Sequence, residues 1–218
     1  MKQKTVFIAS AIALLLAFVA GVLFYQNQQE KAANEKAEAN RAILTRMHSP
    51  TLGSANAPVV IVEFLDPACE TCGAFYPRVK KMMAEHPDRI RLVLRHAPFH
   101  RGSDNVVAAL EAARRQGKFW PALEILLANQ SDWAQNHTAN IDRAWKYLER
   151  VGLNMEQLAL DMRSPEIANV ITQDLADAKA LGVTMTPEYF VNGKPLPSFG
   201  FEQLKDLVDK ALAETRGR

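Results

Sequence analysis

Cys69 and Cys72 are the only cysteines in the chain, and they form a C-x-x-C pair, Cys69-Glu70-Thr71-Cys72. A β-branched apolar run, Val59 to Leu65, leads into them. A helical pattern follows over Gly73 to Glu85, with Phe75, Val79, Met82 and Met83 spaced for one face. The pair therefore falls where a buried strand ends and a helix begins. Free N–H groups and the positive end of a helix stabilise an anion in its first turn. A cysteine there gives up its proton more readily, and the thiolate is the nucleophile of disulfide exchange. Three plainer readings compete: a structural disulfide, half of a metal site, and inert thiols. A four-ligand zinc site needs two further Cys or His ligands, and of the five histidines only His96 and His100 have suitable spacing. The spacing favours a redox pair, and no metal and no organic cofactor is assigned.

Glu63 is the next group that could do chemistry, because it lies six residues before Cys69 in an otherwise apolar strand. Burial disfavours the ionised form of a carboxyl group and raises its pKa. The competing reading is a solvated, edge-facing side chain. Asp66, which precedes Pro67, reads as a turn residue, and Arg95 and His96 are placed near the same buried acid as Glu63.

The elements that must position these groups follow from the pattern of the whole chain. Residues 1–4 are short and basic, and residues 5–25 are apolar without a charge. About 20 such residues cross a bilayer core as a helix. Lys2 and Lys4 place the N-terminus in the cytoplasm and the remainder outside. A cleaved signal peptide is the alternative, with Val19-Ala20-Gly21 the nearest weak cleavage site, but the run is longer than a usual signal core. Residues 26–48 are polar and alanine-rich and read as a helical linker. Turn signals at Ser49-Pro50 and Gly53 to Pro58 open a folded domain expected over 49–218.

Within that domain, Val59–Leu65 and Arg89–Ala97 read as strands joined through the C-x-x-C helix, a parallel βαβ unit. Residues 103–181 are nearly all helical in pattern, with Ser103 or Asp104 as the first cap and Gly117, Gly152 and Ser164-Pro165 as punctuation. Trp120, Trp133 and Trp145 read as core or interface residues of this helical unit. Glu188 to Val191 is a strand that turns at Asn192-Gly193, and Gly200 to Ala213 is a closing amphipathic helix. The formal net charge is +2, with basic and acidic residues interspersed, so nothing points to nucleic acid.

With these motifs in place, the chain resembles the DsbA-like branch of the thioredoxin superfamily over about Leu52 to Ala213. The resemblance is carried by Gly53-Ser54-Ala55-Asn56-Ala57-Pro58, by the strand and C-x-x-C of Val59–Cys72, and by Gln116-Gly117-Lys118-Phe119-Trp120. It is also carried by Gly182 through Gly193, where Thr186-Pro187 lies about 115 residues after Cys72. It implies an α/β thioredoxin fold with an inserted helical domain. It implies Cys69 as the exposed nucleophile, Cys72 as the buried resolving thiol, and Pro187 as a cis-proline facing the pair. Thr186 would offer backbone groups to a substrate chain, and Glu63 would move the proton of Cys72. The dipeptide departs from the Pro-His of the strongest oxidants of the family. The carboxylate of Glu70, about 6 Å away, opposes a thiolate by roughly 0.7 kcal/mol under water-like screening, so Glu70 and Thr71 are expected to tune the pair toward a less oxidising disulfide.

The resulting expectation is a membrane-anchored, extracytoplasmic thiol–disulfide oxidoreductase, single-pass in the inner membrane, acting on cysteine-containing exported proteins and reset by a membrane redox partner. An oxidase leads over a reductase or isomerase. The alternative class is a protein that holds a soft ion such as Cu(I) on the same two thiolates.

Overall fold

A computed structural model describes residues 2–215, apart from the side chains of residues 2–7, 9–11 and 33. Met1, part of the expected cytoplasmic tip, and residues 216–218 lie outside the described residues. The chain divides into two units, Met1–Ala39 and Asn40–Arg218. Helix α1 (Lys2–Leu44) supplies the first unit. Among the described residues it is the one helix long and apolar enough to cross a membrane, over Ile12–Leu44, with a mean hydropathy of 1.3.

The second unit is built on a five-stranded sheet. In chain order come β1 (Thr51–Leu52), β2 (Val59–Leu65), α2 (Glu70–Glu85) and β3 (Ile90–His96). The inserted helices follow as α3 (Ser103–Arg115), α4 (Phe119–Ala128), α5 (Gln130–Trp133), α6 (Ile141–Glu149), α7 (Met155–Asp161) and α8 (Pro165–Leu181). A small hairpin, β4 (Ala134–Gln135) and β5 (Thr138–Ala139), separates α5 from α6. The chain returns through β6 (Glu188–Val191) and β7 (Lys194–Pro195) and closes with α9 (Phe201–Glu214).

The sheet order is β1-β3-β2-β6-β7, with β2 and β3 parallel and the other pairs antiparallel. The central strand β2 is apolar on both faces because both are covered. One face, with Ile61, Leu65, Leu92 and Leu94, packs with α2, the insertion and α9. The other carries Val62, Phe64, Val93 and Phe190, packed with Leu44, Ala178 and Val183. Strand alternation sends Glu63 to the first face and Arg95 to the second.

The expected helix breaks hold where a side chain can satisfy the free N–H groups. Asn140, Asn154 and Ser164 cap α6, α7 and α8, and Gly182 ends α8 at φ 75°. The cap of α3 is a correction: Gly102 occupies it at φ 76°, and the Ser103 hydroxyl donates to Asp66 Oδ1 instead. Trp133 is buried in the insertion, and Trp120 and Trp145 are half-buried. The hairpin between α5 and α6 has no counterpart in the helical pattern. Asn136 and His137 turn it with φ of 50° and 56°, the paired left-handed geometry of a two-residue turn.

Candidate active site

The C-x-x-C pair sits at the β2–α2 junction. Cys69 is the N-cap of α2, and Cys72 lies in its first turn. Cys69 keeps 7% of its surface and Cys72 none, which corrects the expectation of an exposed nucleophile: Cys69 is the more accessible sulfur but is mostly covered. Cys69 Sγ lies 3.2 Å from the carbonyl oxygen of Thr186, and the Thr186–Pro187 peptide bond is cis. The structure therefore brings Cys69, Cys72, Thr186 and Pro187 into one site from segments far apart in the chain.

The two sulfurs have opposite proton affinities. The pKa of Cys69 is lowered to about 5, chiefly by a hydrogen bond from the Cys72 side chain. Burial opposes this, while the Thr186 side chain and the N–H groups of Cys72 and Thr71 assist it. Cys72 is pushed well above the ordinary thiol value by burial first, and then by Cys69 and the charge of Glu63. Thr71 thus acts through its backbone. Glu70 is exposed, and its charge is not among the leading causes of the Cys69 shift.

Glu63 is fully buried, which excludes the solvated reading. It lies directly opposite Tyr189 in the β2–β6 ladder, and the Tyr189 hydroxyl donates to its Oε1 at 2.9 Å. Its Oε2 has no hydrogen-bond partner. Desolvation raises the pKa of Glu63 to about 8, against the Tyr189 hydrogen bond and with help from the Cys69 charge. Neither Arg95 nor His96 pairs with Glu63, contrary to expectation. His96 Nε2 lies 2.9 Å from Glu111 Oε1, and Arg95, on the opposite face of the sheet, pairs with Asp174 and Asp177.

Asp66 is more than a turn residue. It is fully buried, and its Oδ1 accepts from the N–H of Ala68 and from Ser103, while its Oδ2 accepts from the His100 N–H and Nδ1 at 2.8 and 2.7 Å. Its carbonyl accepts the Cys69 N–H at 3.0 Å, so the carboxylate locks the loop that presents Cys69. The insertion contributes Gln130, whose Nε2 donates to the carbonyls of Pro67 at 2.7 Å and Cys69 at 2.9 Å. Gly73 permits that approach, because a Cβ there would meet Gln130 Oε1 at 2.8 Å. Sequence reading missed Gln130, Tyr189 and the Asp66–His100–Ser103 cluster. The register of β6 against β2 would have pointed to Tyr189, and a glycine directly after Cys72 to a close neighbour.

A thioredoxin sheet with a C-x-x-C pair capping a helix, a facing cis-proline and an inserted helical unit is the architecture of a thioredoxin-like oxidoreductase. Comparison with known proteins agrees: a family model described as Thioredoxin matches residues 45–210, and the chain belongs to the thioredoxin family. It is 33% identical to a thioredoxin-like oxidoreductase from Silicibacter pomeroyi DSS-3, with a TM-score of 0.68 over 78% of this chain and 96% of that one. BdbD from Bacillus subtilis shares the fold at 23% identity and a TM-score of 0.67, over 76% of this chain and 94% of that one. A Na(+)/H(+) antiporter NhaA from Herminiimonas arsenicoxydans is 32% identical over 144 residues, which are 66% of this chain but 22% of the antiporter. The chain thus spans about a quarter of the length of the curated relatives it matches.

Proposed function

We propose that the protein is a membrane-anchored thiol oxidase that introduces disulfides into cysteine-containing exported proteins through Cys69 and Cys72. The observation that carries the direction is the split in proton affinity, with Cys69 at about 5 and Cys72 well above the ordinary thiol value. A stabilised Cys69 thiolate stabilises the reduced form and makes the disulfide a stronger oxidant. A substrate thiolate attacks Cys69 Sγ of the Cys69–Cys72 disulfide, forming a substrate–Cys69 bond as the Cys69–Cys72 bond breaks. Cys72 leaves as the poorer thiolate and takes a proton from Glu63, which is mostly protonated at neutral pH because its pKa is about 8. A second substrate thiolate then attacks the substrate sulfur. Cys69 leaves as a thiolate without needing a proton, and the substrate departs with its disulfide. The two electrons left on the protein pass to the disulfide of a membrane redox partner.

Thr186 and Pro187 would receive the substrate backbone beside Cys69, the Thr186 groups lying along an extended chain. The apolar helix supports placing residues 5–25 in the inner membrane, and Lys2 and Lys4 before it support placing the catalytic unit outside the cytoplasm. The test is trapping. Cys72→Ser should accumulate mixed disulfides with exported proteins through Cys69, and Cys69→Ser should accumulate none. Equal trapping by both variants would contradict the assigned roles.

A further inference from the structure

We infer that Tyr189 is a positioning residue for this proton exchange: its hydroxyl holds one oxygen of Glu63, so that the other alone carries the proton that moves to and from Cys72. This rests on the reading of Glu63 as the proton partner of Cys72.

The register of the sheet fixes the pair. Antiparallel pairing of β6 with β2 sets Glu63 directly across from Tyr189, so both side chains point to the same face. Both residues are fully buried. The phenol ring is held in turn, stacked on Phe75 of α2 with centroids 6.4 Å apart and planes 14° apart. Its hydroxyl is 2.9 Å from Glu63 Oε1.

The chemistry follows from which groups can donate. A neutral carboxyl group has one carbonyl oxygen, which accepts, and one hydroxyl oxygen, which donates. Tyr189 remains a neutral donor, because burial and then the charge of Glu63 push its phenol well above its ordinary value. Oε1, receiving the phenol hydrogen, is therefore the carbonyl oxygen of neutral Glu63. The proton is left on Oε2, the oxygen with no other partner. Without the tyrosine hydroxyl the two oxygens would be equivalent, and the proton would not be confined to one of them. An unpaired buried oxygen is ordinarily a liability that native structures avoid. Here it marks the atom left available for exchange, while its twin is pinned. Phenylalanine at position 189 would keep the ring on Phe75 and lose only the hydroxyl.

The experiment measures resolution of a Cys69–peptide mixed disulfide by Cys72 as a function of pH, in the full chain. In the native protein the rate should rise through a midpoint near pH 8, where Glu63 becomes the base. Tyr189→Phe should move that midpoint up by roughly one unit, since the lost bond stabilised the carboxylate, and lower the rate at neutral pH several-fold. The first attack by Cys69 should be unchanged. A ring-fluorinated tyrosine at position 189, a stronger donor of the same shape, should move the midpoint down, and it keeps the test decisive should the phenylalanine variant fold poorly. In a Glu63→Gln background, Tyr189→Phe should add nothing. If Glu63→Gln slows resolution while the midpoint ignores both changes at position 189, Tyr189 has no such role and Glu63 keeps its own. If Glu63→Gln has no effect on either step, both readings fall. An equal slowing by Tyr189→Phe with and without Glu63 would make the tyrosine a packing residue only and overturn the inference.

Discussion

The two faces of one sheet bury carboxylates in opposite ways. On the face toward α2, Glu63 has a single hydrogen bond, a free oxygen and no cation, and its pKa rises to about 8. On the other face, Asp174 and Asp177 share the fully buried guanidinium of Arg95, at 2.7 and 2.6 Å. There Arg46 adds a bidentate pair to Asp177 at 2.8 and 2.7 Å, His48 Nε2 lies 2.7 Å from Asp174 Oδ1, and the His96 N–H donates to Asp174 Oδ2. Asp177 falls to about 2, its burial outweighed by hydrogen bonds from Arg46 and Arg95. A buried acid with enough donors is locked in its charged form and serves structure. A buried acid left short of donors has its pKa raised toward neutral pH, as the proposed proton exchange with Cys72 requires. The same strand pair supplies both, because Glu63 and Arg95 point to opposite faces.

The sharpest way to break the comparison is to remove the central cation. Arg95→Met leaves Asp174 and Asp177 buried without their shared partner, and such changes cost about 3–5 kcal/mol. Urea unfolding should show a loss of that order. Glu63→Gln should do the reverse above pH 8, stabilising by about 2–5 kcal/mol because no proton need be held or lost.

The pH dependence of unfolding should separate the two faces by sign. Glu63 has a raised pKa in the folded state, so its contribution is fully present below about pH 4.5 and is lost as pH rises through about 8. Asp177 has a lowered one, so its contribution is present above about pH 4 and is lost as pH falls through about 2. Glu63→Gln should flatten the slope between about pH 4.5 and 8 alone, and Asp177→Asn the slope between about pH 2 and 4 alone. Slopes that do not respond to these variants would remove the contrast.

The smallest effect is expected at Glu70. The side chain is exposed, so Glu70→Gln should change the Cys69 pKa by no more than about half a unit, less in high salt. Thiolate absorbance against pH reads it. A drop of two units would restore the dipeptide as the main control of the pair.

The sequence carried the local features well and the long-range polar ones poorly. Strands β2 and β6 were legible to the residue, because a β-branched run and a strand ending in Asn-Gly leave strong local marks. The thioredoxin order of elements was legible for the same reason. Asn40–His48 read as the end of a solvated linker, yet Leu44 is buried, the Ile43 carbonyl accepts from Arg95, and Arg46 and His48 reach α8. Their partners lie more than 50 residues away, and a window of a dozen residues carries no trace of them. Gln130 is hidden likewise, since its bond to the Cys69 carbonyl spans 61 residues. Buried polar residues look polar in a sequence, and only the fold shows which of them are satisfied.

The central claim is that one sulfur of the pair holds its proton and the other does not. The direct measurement is the equilibrium reduction potential in glutathione buffers across pH 6 to 7.5. Reducing the disulfide then takes two electrons but only one proton, so the potential should fall by about 30 mV per pH unit, from a value more positive than about −200 mV at neutral pH. A slope near 60 mV per unit, with a potential near the −270 mV or so of thioredoxin, would mean that both thiols keep their protons, and would contradict the account.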